Sequence, residues 1–144
     1  LCLISLTYPI AYDLLVALAQ GFKVQSQINK KFISEKVMSI YGSNRTVDIA
    51  LDALLPMIIE LNTIQRAKVS IYQLASKLTI RNKFISELIV YTDIKSSGSK
   101  SILLDDLGHR PWYSYFELPS FQSNKSNHLL SKRDGMLGKG YLTI

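Results

Sequence analysis

The sequence predicts a mainly helical chain with a small β-hairpin, which is an α+β fold. Three stretches in the first half carry apolar residues at the 3.6-residue spacing of an amphipathic helix. After Pro56 the apolar spacing moves towards the two-residue period of a strand, and four aromatic residues cluster in the second half. These patterns indicate a helical N-terminal domain ending in a hairpin, followed by a C-terminal helical and aromatic extension.

Composition places the chain among folded, basic proteins. Of its 144 residues, 47% are hydrophobic and 19% are charged, which excludes the disordered class. Seventeen Lys and Arg residues against eleven Asp and Glu give a net charge of +6, as expected of a nucleic-acid-binding protein. Cys2 is the sole cysteine, so neither an internal disulfide nor a cysteine-based zinc site is expected.

The apolar N-terminus raises the question of a signal peptide or a membrane span. Asp13 interrupts residues 1–18 near their middle, and no basic region precedes them. We therefore expect a soluble, cytoplasmic protein with no membrane partner.

Three helices are predicted in the first half of the chain. The first covers residues 8–20, with Thr7 as a possible N-cap and Gly21 as its end. The second covers residues 29–41 and ends at Gly42.

The third predicted helix covers residues 45–55. Either Ser43 or Asn44 can cap its start, and Pro56 disfavours helical geometry at the residue before it. A hairpin is predicted beyond it, with strands over residues 58–64 and 69–74 and a basic tip at 65–68, turning near Ala67.

The second half shows weaker patterns. An amphipathic helix is predicted over residues 81–92, with Phe84, Ile85, Leu88 and Ile89 on its apolar face. A loop at 96–99 and a short helix at 101–107 follow it. The remaining predicted elements are an aromatic layer at 111–118, a flexible loop near 120–127 and a glycine-containing hairpin over 128–144. The aromatic residues Trp112, Tyr113, Tyr115 and Phe116 are expected to pack in a core, although exposed rings could stack on bases.

The passage from the third helix into the hairpin resembles the winged helix-turn-helix superfamily. The residues that carry the resemblance are 43–55, then 57–66, Lys68 and 71–74. A capped helix with Arg and Thr near its start and a spaced Leu stripe leads there into two strands. The resemblance implies a winged helix-turn-helix domain over residues 1–80, with residues 81–144 as an extension packed on it.

The resemblance also implies a duplex DNA interface. The start of the recognition helix would place Asn44, Arg45 and Thr46 in the major groove. Arg66 and Lys68 on the wing would reach phosphates or a minor groove, and the basic residues that would add backbone contacts are Lys30 and Lys31. The same residue types also serve as helix caps, exposed turn residues and solubilising charge, and both interpretations stay open.

Two aspartates oppose docking along the whole third helix. Asp48 and Asp52 lie one turn apart on its polar face, where they would repel phosphates. Contact is therefore expected through the helix start and the wing.

Catalytic patterns are not evident. His109 and His128 sit in no metal or nucleophile motif, and Gly135, Gly138 and Gly140 match no phosphate-binding loop. We therefore expect no enzyme activity, no catalytic residue, no metal, no cofactor and no small-molecule substrate. The chain is predicted to bind duplex DNA as part of a transcription regulator, mobile-element protein or defence system. The alternative is a winged-helix module for protein interaction, with a protein partner or a homodimer.

Overall fold

The computed structural model describes residues 1–121, 128–136 and 138–144. The chain divides into two compact units, the first made of Leu1 and residues 3–77, the second of Cys2 and residues 78–144. Both units combine helices with short strands, so the predicted α+β class is confirmed. Among the described residues, no helix is both long and apolar enough to cross a bilayer.

The first unit packs helices against a three-stranded sheet. Its elements in chain order are α1 (Cys2–Thr7), α2 (Pro9–Val24), β1 (Gln27–Asn29), α3 (Lys30–Tyr41), α4 (Arg45–Glu60), β2 (Ile64–Lys68) and β3 (Ile71–Leu74). The strands are antiparallel in the order β1-β3-β2, so β3 lies at the centre and β2 at an edge. The three predicted helices and the hairpin are present, although several of their ends differ from the prediction.

Helix α2 lies at the centre of this unit. Its side chains Leu14, Leu15 and Leu18 are fully buried, as predicted for a helix that is apolar on most sides. The Asn29 side chain caps α3 by accepting a hydrogen bond from the backbone N–H of Phe32 at 2.8 Å. Gly42 ends α3 with φ of +86°, a conformation that favours glycine, so the predicted end of this helix is confirmed.

The predicted ends of the first helix are wrong. Thr7 is the last residue of α1, where its hydroxyl donates to the Leu3 carbonyl at 2.8 Å, and the N-cap of α2 is Tyr8. Gly21 does not end α2, which continues to Val24. A Cβ atom at Gly21 would lie 2.9 Å from Phe32 Cε1 and 3.1 Å from two carbon atoms of Ile28, so any side chain there would force these neighbours to shift.

Gly21→Ala is therefore expected to destabilise the first unit. Helix propensity alone favours Ala by about 1 kcal/mol, but overpacking costs about 1 to 3 kcal/mol. The expected net loss of unfolding free energy reaches about 2 kcal/mol, measured by urea unfolding with circular dichroism. Gly108→Ala is the control, because a Cβ atom there meets no atom within 4 Å. A gain in stability on Gly21→Ala would show that the neighbours can move aside.

Helix α4 is longer than predicted because Pro56 does not end it. The helix continues through Pro56 to Glu60. Proline removes one helical hydrogen bond at a cost of about 3 kcal/mol. Pro56 faces solvent, however, and continuation of the helix buries Ile58 beside Leu54 and Leu55. Burial of a side chain such as Ile58 contributes about 1.5 to 3 kcal/mol and offsets much of that cost.

The hairpin is confirmed, but its limits differ. Residues 58–60, predicted as strand, belong to α4, and β2 begins at Ile64. The turn is Val69-Ser70, with Ser70 at φ of +57°, so the basic residues predicted at the tip lie within β2. Ala67 is an extra residue in β2, because the register with β3 shifts between Arg66 and Lys68. Strand β1, which pairs with β3, was not predicted, and its last residue, Asn29, was assigned to the second helix.

The described part of the second unit contains one α-helix and several short strands. Its elements are β4 (Leu78–Thr79), α5 (Lys83–Ser96), β5 (Ser101–Leu103), 3₁₀ turns at Leu104–Asp106 and Pro111–Tyr115, β6 (Phe116–Glu117), β7 (Ser131–Arg133) and β8 (Tyr141–Thr143). Strand β4 pairs in parallel with β6, and a second sheet has the order β5-β8-β7. The antiparallel pairing of β7 with β8 confirms the C-terminal hairpin.

Several predictions for this half are corrected. Residues 101–107 form β5 and a 3₁₀ turn instead of one helix. Helix α5 runs over Lys83–Ser96 instead of 81–92, and it exposes Phe84 and Ile85 of the predicted apolar face. The core position of the four aromatic residues is confirmed, since Trp112, Tyr113, Tyr115 and Phe116 are each at most 7% exposed. Most of the loop predicted near 120–127 falls on residues 122–127, outside the described residues.

A buried charge network lies in the second unit. Asp93 on α5 is completely buried, and Arg110 binds it through two contacts: Nε to Oδ2 at 2.8 Å and Nη2 to Oδ1 at 2.8 Å. The Tyr113 hydroxyl donates to Asp93 Oδ2 at 3.0 Å. This paired geometry is how a folded interior accommodates a carboxylate.

Candidate nucleic-acid interface

The start of α4 presents two polar side chains to solvent. The Asn44 side chain accepts a hydrogen bond from the backbone N–H of Val47 at 3.2 Å, so Asn44 is the cap that the sequence left open between two residues. Arg45 and Thr46 follow it and are both exposed. Upstream, the Tyr41 hydroxyl donates to Asp13 Oδ2 at 2.6 Å, which ties the end of α3 to α2 and thereby positions this turn.

The aspartates of α4 are held on its side towards α3. The Ser34 hydroxyl donates to Asp48 Oδ1 at 3.1 Å, and the Lys30 ammonium forms an ion pair with Asp52. The hydrogen bond to Asp52 raises the pKa of Lys30 above its ordinary value, so Lys30 remains protonated. The ion pair offsets the charge of Asp52 and also engages Lys30, one of the predicted contact residues. The Ser34 hydroxyl is neutral, so it holds the Asp48 side chain without cancelling its charge.

The start of α3 lies beside the turn of the hairpin. The backbone N–H of Lys30 donates to the Ser70 carbonyl at 2.9 Å. A depression of about 460 Å³ has Lys30, Lys31 and Glu35 of α3, Asp48 of α4 and Ser70 of the turn on its walls. The structure thus brings the lysines of α3 next to the turn of the β2–β3 hairpin.

Arg66 and Lys68, the two basic residues of β2, project from opposite faces of the hairpin. Directly paired residues share a face, and Arg66 pairs with the buried Tyr72 whereas Lys68 pairs with Ile71. Because Ile71 and Tyr72 are consecutive, they point to opposite faces, and so do their partners. The extra residue Ala67 causes this reversal, since residues two apart in a regular strand share a face.

A row of glutamines marks the outer face of the sheet. Gln27 Nε2 donates to Gln73 Oε1 at 3.4 Å, and Gln73 Nε2 donates to Gln65 Oε1 at 3.2 Å. Gln73 and Ile71 are two residues apart on β3, so Lys68 belongs to this glutamine face. Arg66 belongs to the other face, which also carries the buried Ile64.

The exposed basic residues that were predicted as DNA contacts form two sets. Arg45 stands at the start of α4, and the second set, made of Lys31, Arg66 and Lys68, lies on the hairpin and the start of α3. Within the part of the chain that the structure describes, no carboxylate forms an ion pair with any of these four residues. Seven residues separate Arg45 from Asp52, the α4 residue that Lys30 contacts, which is about 10 Å of helix rise.

Sequence reasoning missed an exposed apolar row on α4. Ile49 is 59% exposed and Met57 is 42% exposed, and Ala53 lies exposed between them. Their four-residue spacing was a usable signal, because it places all three on one helix face opposite the buried Leu stripe. In residues 1–121, 128–136 and 138–144, no group of three or more His, Cys, Asp or Glu side chains could hold a metal ion.

Comparisons with known proteins leave the fold and the site to be interpreted on their own geometry. The chain matches no protein-family model, no curated protein and no solved structure.

Proposed function

We propose that the first unit is a winged helix-turn-helix domain that binds duplex DNA through the start of α4 and through the hairpin. The order of its elements supports this: three helices, α2 to α4, precede the β2–β3 hairpin. In such a domain α4 is the recognition helix, α3 is the helix packed before it, and the hairpin is the wing.

The distribution of charge on α4 and β2 is the observation that carries the proposal. Arg45, Arg66 and Lys68 are exposed without ion-pair partners among the described residues, whereas Asp48 and Asp52 are engaged by α3. A polyanion thus meets uncompensated positive charge at the helix start and on the wing. Asp52 remains partly exposed, so contact is confined to the first turn of α4.

Each predicted contact residue has a distinct role in this proposal. Arg45 donates to a guanine edge or to a phosphate, and Thr46 contacts a phosphate or a thymine methyl group. Asn44 supports them as the helix cap, because its side-chain oxygen is already used by Val47. Lys31 adds a backbone contact, and Lys30 does so if phosphate displaces Asp52.

The wing fits a groove with a phosphate backbone on each side. Arg66 and Lys68 project from opposite faces of the hairpin, so each of them reaches a different wall of such a groove. A flat surface would engage only one of them.

Fluorescence anisotropy with a labelled duplex at several salt concentrations tests the proposal. Four phosphate or base contacts, by Arg45, Lys31, Arg66 and Lys68, predict that log affinity falls with log salt at a slope of about −3 to −4. Absence of saturable binding to any duplex at low salt would overturn it.

Replacing Arg66 and Lys68 together by Ala is expected to weaken binding about tenfold or more for every duplex. Phosphate contacts carry no sequence information, and each lost contact lowers the magnitude of the salt slope by about 0.9. The matched control is Lys95→Ala with Lys100→Ala, which removes the same charge from exposed positions in the second unit. Equal effects of the two double variants would mean that net charge, and not the wing, drives binding.

Protein interaction is the second candidate function, and the exposed row of Ile49, Ala53 and Met57 favours it. Salt separates the two candidates, because an apolar interface does not weaken steeply with ionic strength.

A further inference from the structure

The outward face of α4 has a symmetric order of side chains. Thr46, Ile49, Ala53, Met57 and Glu60 follow one another at spacings of three or four residues and form one stripe along the helix. Ile49 and Met57 lie four residues to either side of Ala53, about 6 Å along the axis in each direction. Both are large, apolar and exposed.

Residues of opposite charge lie near the two ends of this stripe. Arg45 lies eight residues before Ala53 and Glu60 lies seven residues after it, so their axial distances from Ala53 differ by about 1.5 Å. On a helical projection both lie on the same side of the stripe's midline.

We propose that α4 pairs antiparallel with α4 of a second copy of this chain, with Ala53 at the two-fold axis. In this arrangement Ile49 of each copy packs beside Met57 of the other, and Arg45 of each copy faces Glu60 of the other. The same patch on both subunits is self-complementary, as two-fold symmetry requires. A parallel pair would bring like charges together at both ends, and the small Ala53 side chain lets the antiparallel helices approach closely.

The pairing is weak and reversible. One helix pair buries less than the roughly 800 Å² per partner of a standard stable interface, so a dissociation constant in the micromolar to millimolar range is expected. Arg45 belongs both to this pairing and to the proposed DNA contact. DNA and the second copy therefore exclude each other on α4, a conclusion that rests on the proposed function.

Ala53→Cys in a Cys2→Ser background tests the pairing directly. At an axis separation of roughly 9 to 10 Å, two Cα atoms at the two-fold axis lie about 5 Å apart, within disulfide range. Mild oxidation is expected to link most of the Ala53→Cys chains into dimers. Glu35→Cys, an exposed position on α3, is the control and is expected to give few. Equal linking of the two variants would overturn the pairing.

A charge exchange gives an independent readout in solution. Arg45→Glu or Glu60→Arg alone is expected to raise the dimer dissociation constant at least fivefold by sedimentation equilibrium, and the double variant is expected to restore it. Circular dichroism confirms that each variant is folded. Failure of the double variant to recover association would overturn the pairing.

A duplex bound by the parent chain separates this proposal from the DNA proposal. Adding it is expected to reduce Ala53→Cys linking at least threefold. If linking occurs but no duplex binds, the pairing stands and the DNA function fails. If DNA binds and no linking occurs without it, the pairing fails and the DNA function stands.

Discussion

Arg110→Ala is expected to lower the free energy of unfolding of the second unit by about 3 to 5 kcal/mol. The substitution leaves the Asp93 carboxylate, which is completely buried, without the guanidinium that binds both of its oxygens. The Tyr113 hydroxyl still donates one hydrogen bond, but it carries no charge to offset the carboxylate. Removal of one member of a buried ion pair is costly because the other stays desolvated while it loses the opposite charge that faced it.

Trp112 provides the measurement for this prediction. It is the single tryptophan of the chain, it is completely buried in the second unit, and its indole N–H donates to the Ile89 carbonyl of α5 at 3.0 Å. Its fluorescence during urea unfolding therefore reports on the unit that contains Arg110 and Asp93.

Two controls distinguish the loss of this buried ion pair from general damage. Lys139→Ala breaks an exposed pair, with a Lys139 to Asp105 distance of 3.7 Å, and should change stability by less than about 1 kcal/mol. Arg110→Met combined with Asp93→Leu removes both charges and should recover much of the loss. If Arg110→Ala costs no more than Lys139→Ala, the buried-charge explanation is wrong.

Local chemistry made parts of the first unit predictable. Asn44 caps α4 and Gly42 ends α3 because a capping amide and a glycine with positive φ act within a few residues of themselves. Gly21 and Pro56 were misinterpreted because tertiary packing, and not local chemistry, decides their roles. Packing against Phe32 and burial of Ile58 decide their roles, and both effects depend on the tertiary structure. The four-residue spacing of Leu54 and Ile58 was a signal, not used in the sequence interpretation, that α4 continues past Pro56.

The site was predictable in its residue types but not in its arrangement. Exposure of Arg45, Arg66 and Lys68 agrees with the sequence interpretation. The reversal of faces at Ala67 depends on the register between β2 and β3, and the pairing of Lys30 with Asp52 joins residues 22 positions apart. Neither can be read from one segment alone, because the first depends on which residues of two neighbouring strands pair and the second on the packing of α3 against α4.

Helix α5 shows where an apolar pattern misleads. It buries the charged residues Glu87 and Asp93 while Phe84 and Ile85 are 45% and 40% exposed. Both buried acids have partners distant in sequence: Arg110 for Asp93, and for Glu87 the backbone N–H groups of residues 128 and 129, which donate to Oε2 at 2.8 and 3.0 Å. Glu87 Oε1 has no hydrogen-bond partner among the described residues. A carboxylate with such partners can lie in a core that hydrophobicity alone assigns to other residues.

Arg45→Ala is expected to relax the preference of the chain for one base pair of its DNA site. In the proposed interface the guanidinium reaches the major groove from the first turn of α4, which the Asn44 cap holds in place. A bidentate contact to guanine contributes about 1 to 3 kcal/mol of discrimination, or about 5- to 150-fold in relative affinity. Competition between duplexes that differ at one position, with the protein kept below the concentration at which it associates, measures this loss.

Arg45→Lys is the control, because lysine retains the charge but lacks the planar fork that reads guanine. It should keep the salt slope of the parent chain while losing the preference. If Arg45→Ala instead weakens all duplexes by the same factor and reduces the magnitude of the slope by about 0.9, Arg45 contacts a phosphate and another residue reads the bases.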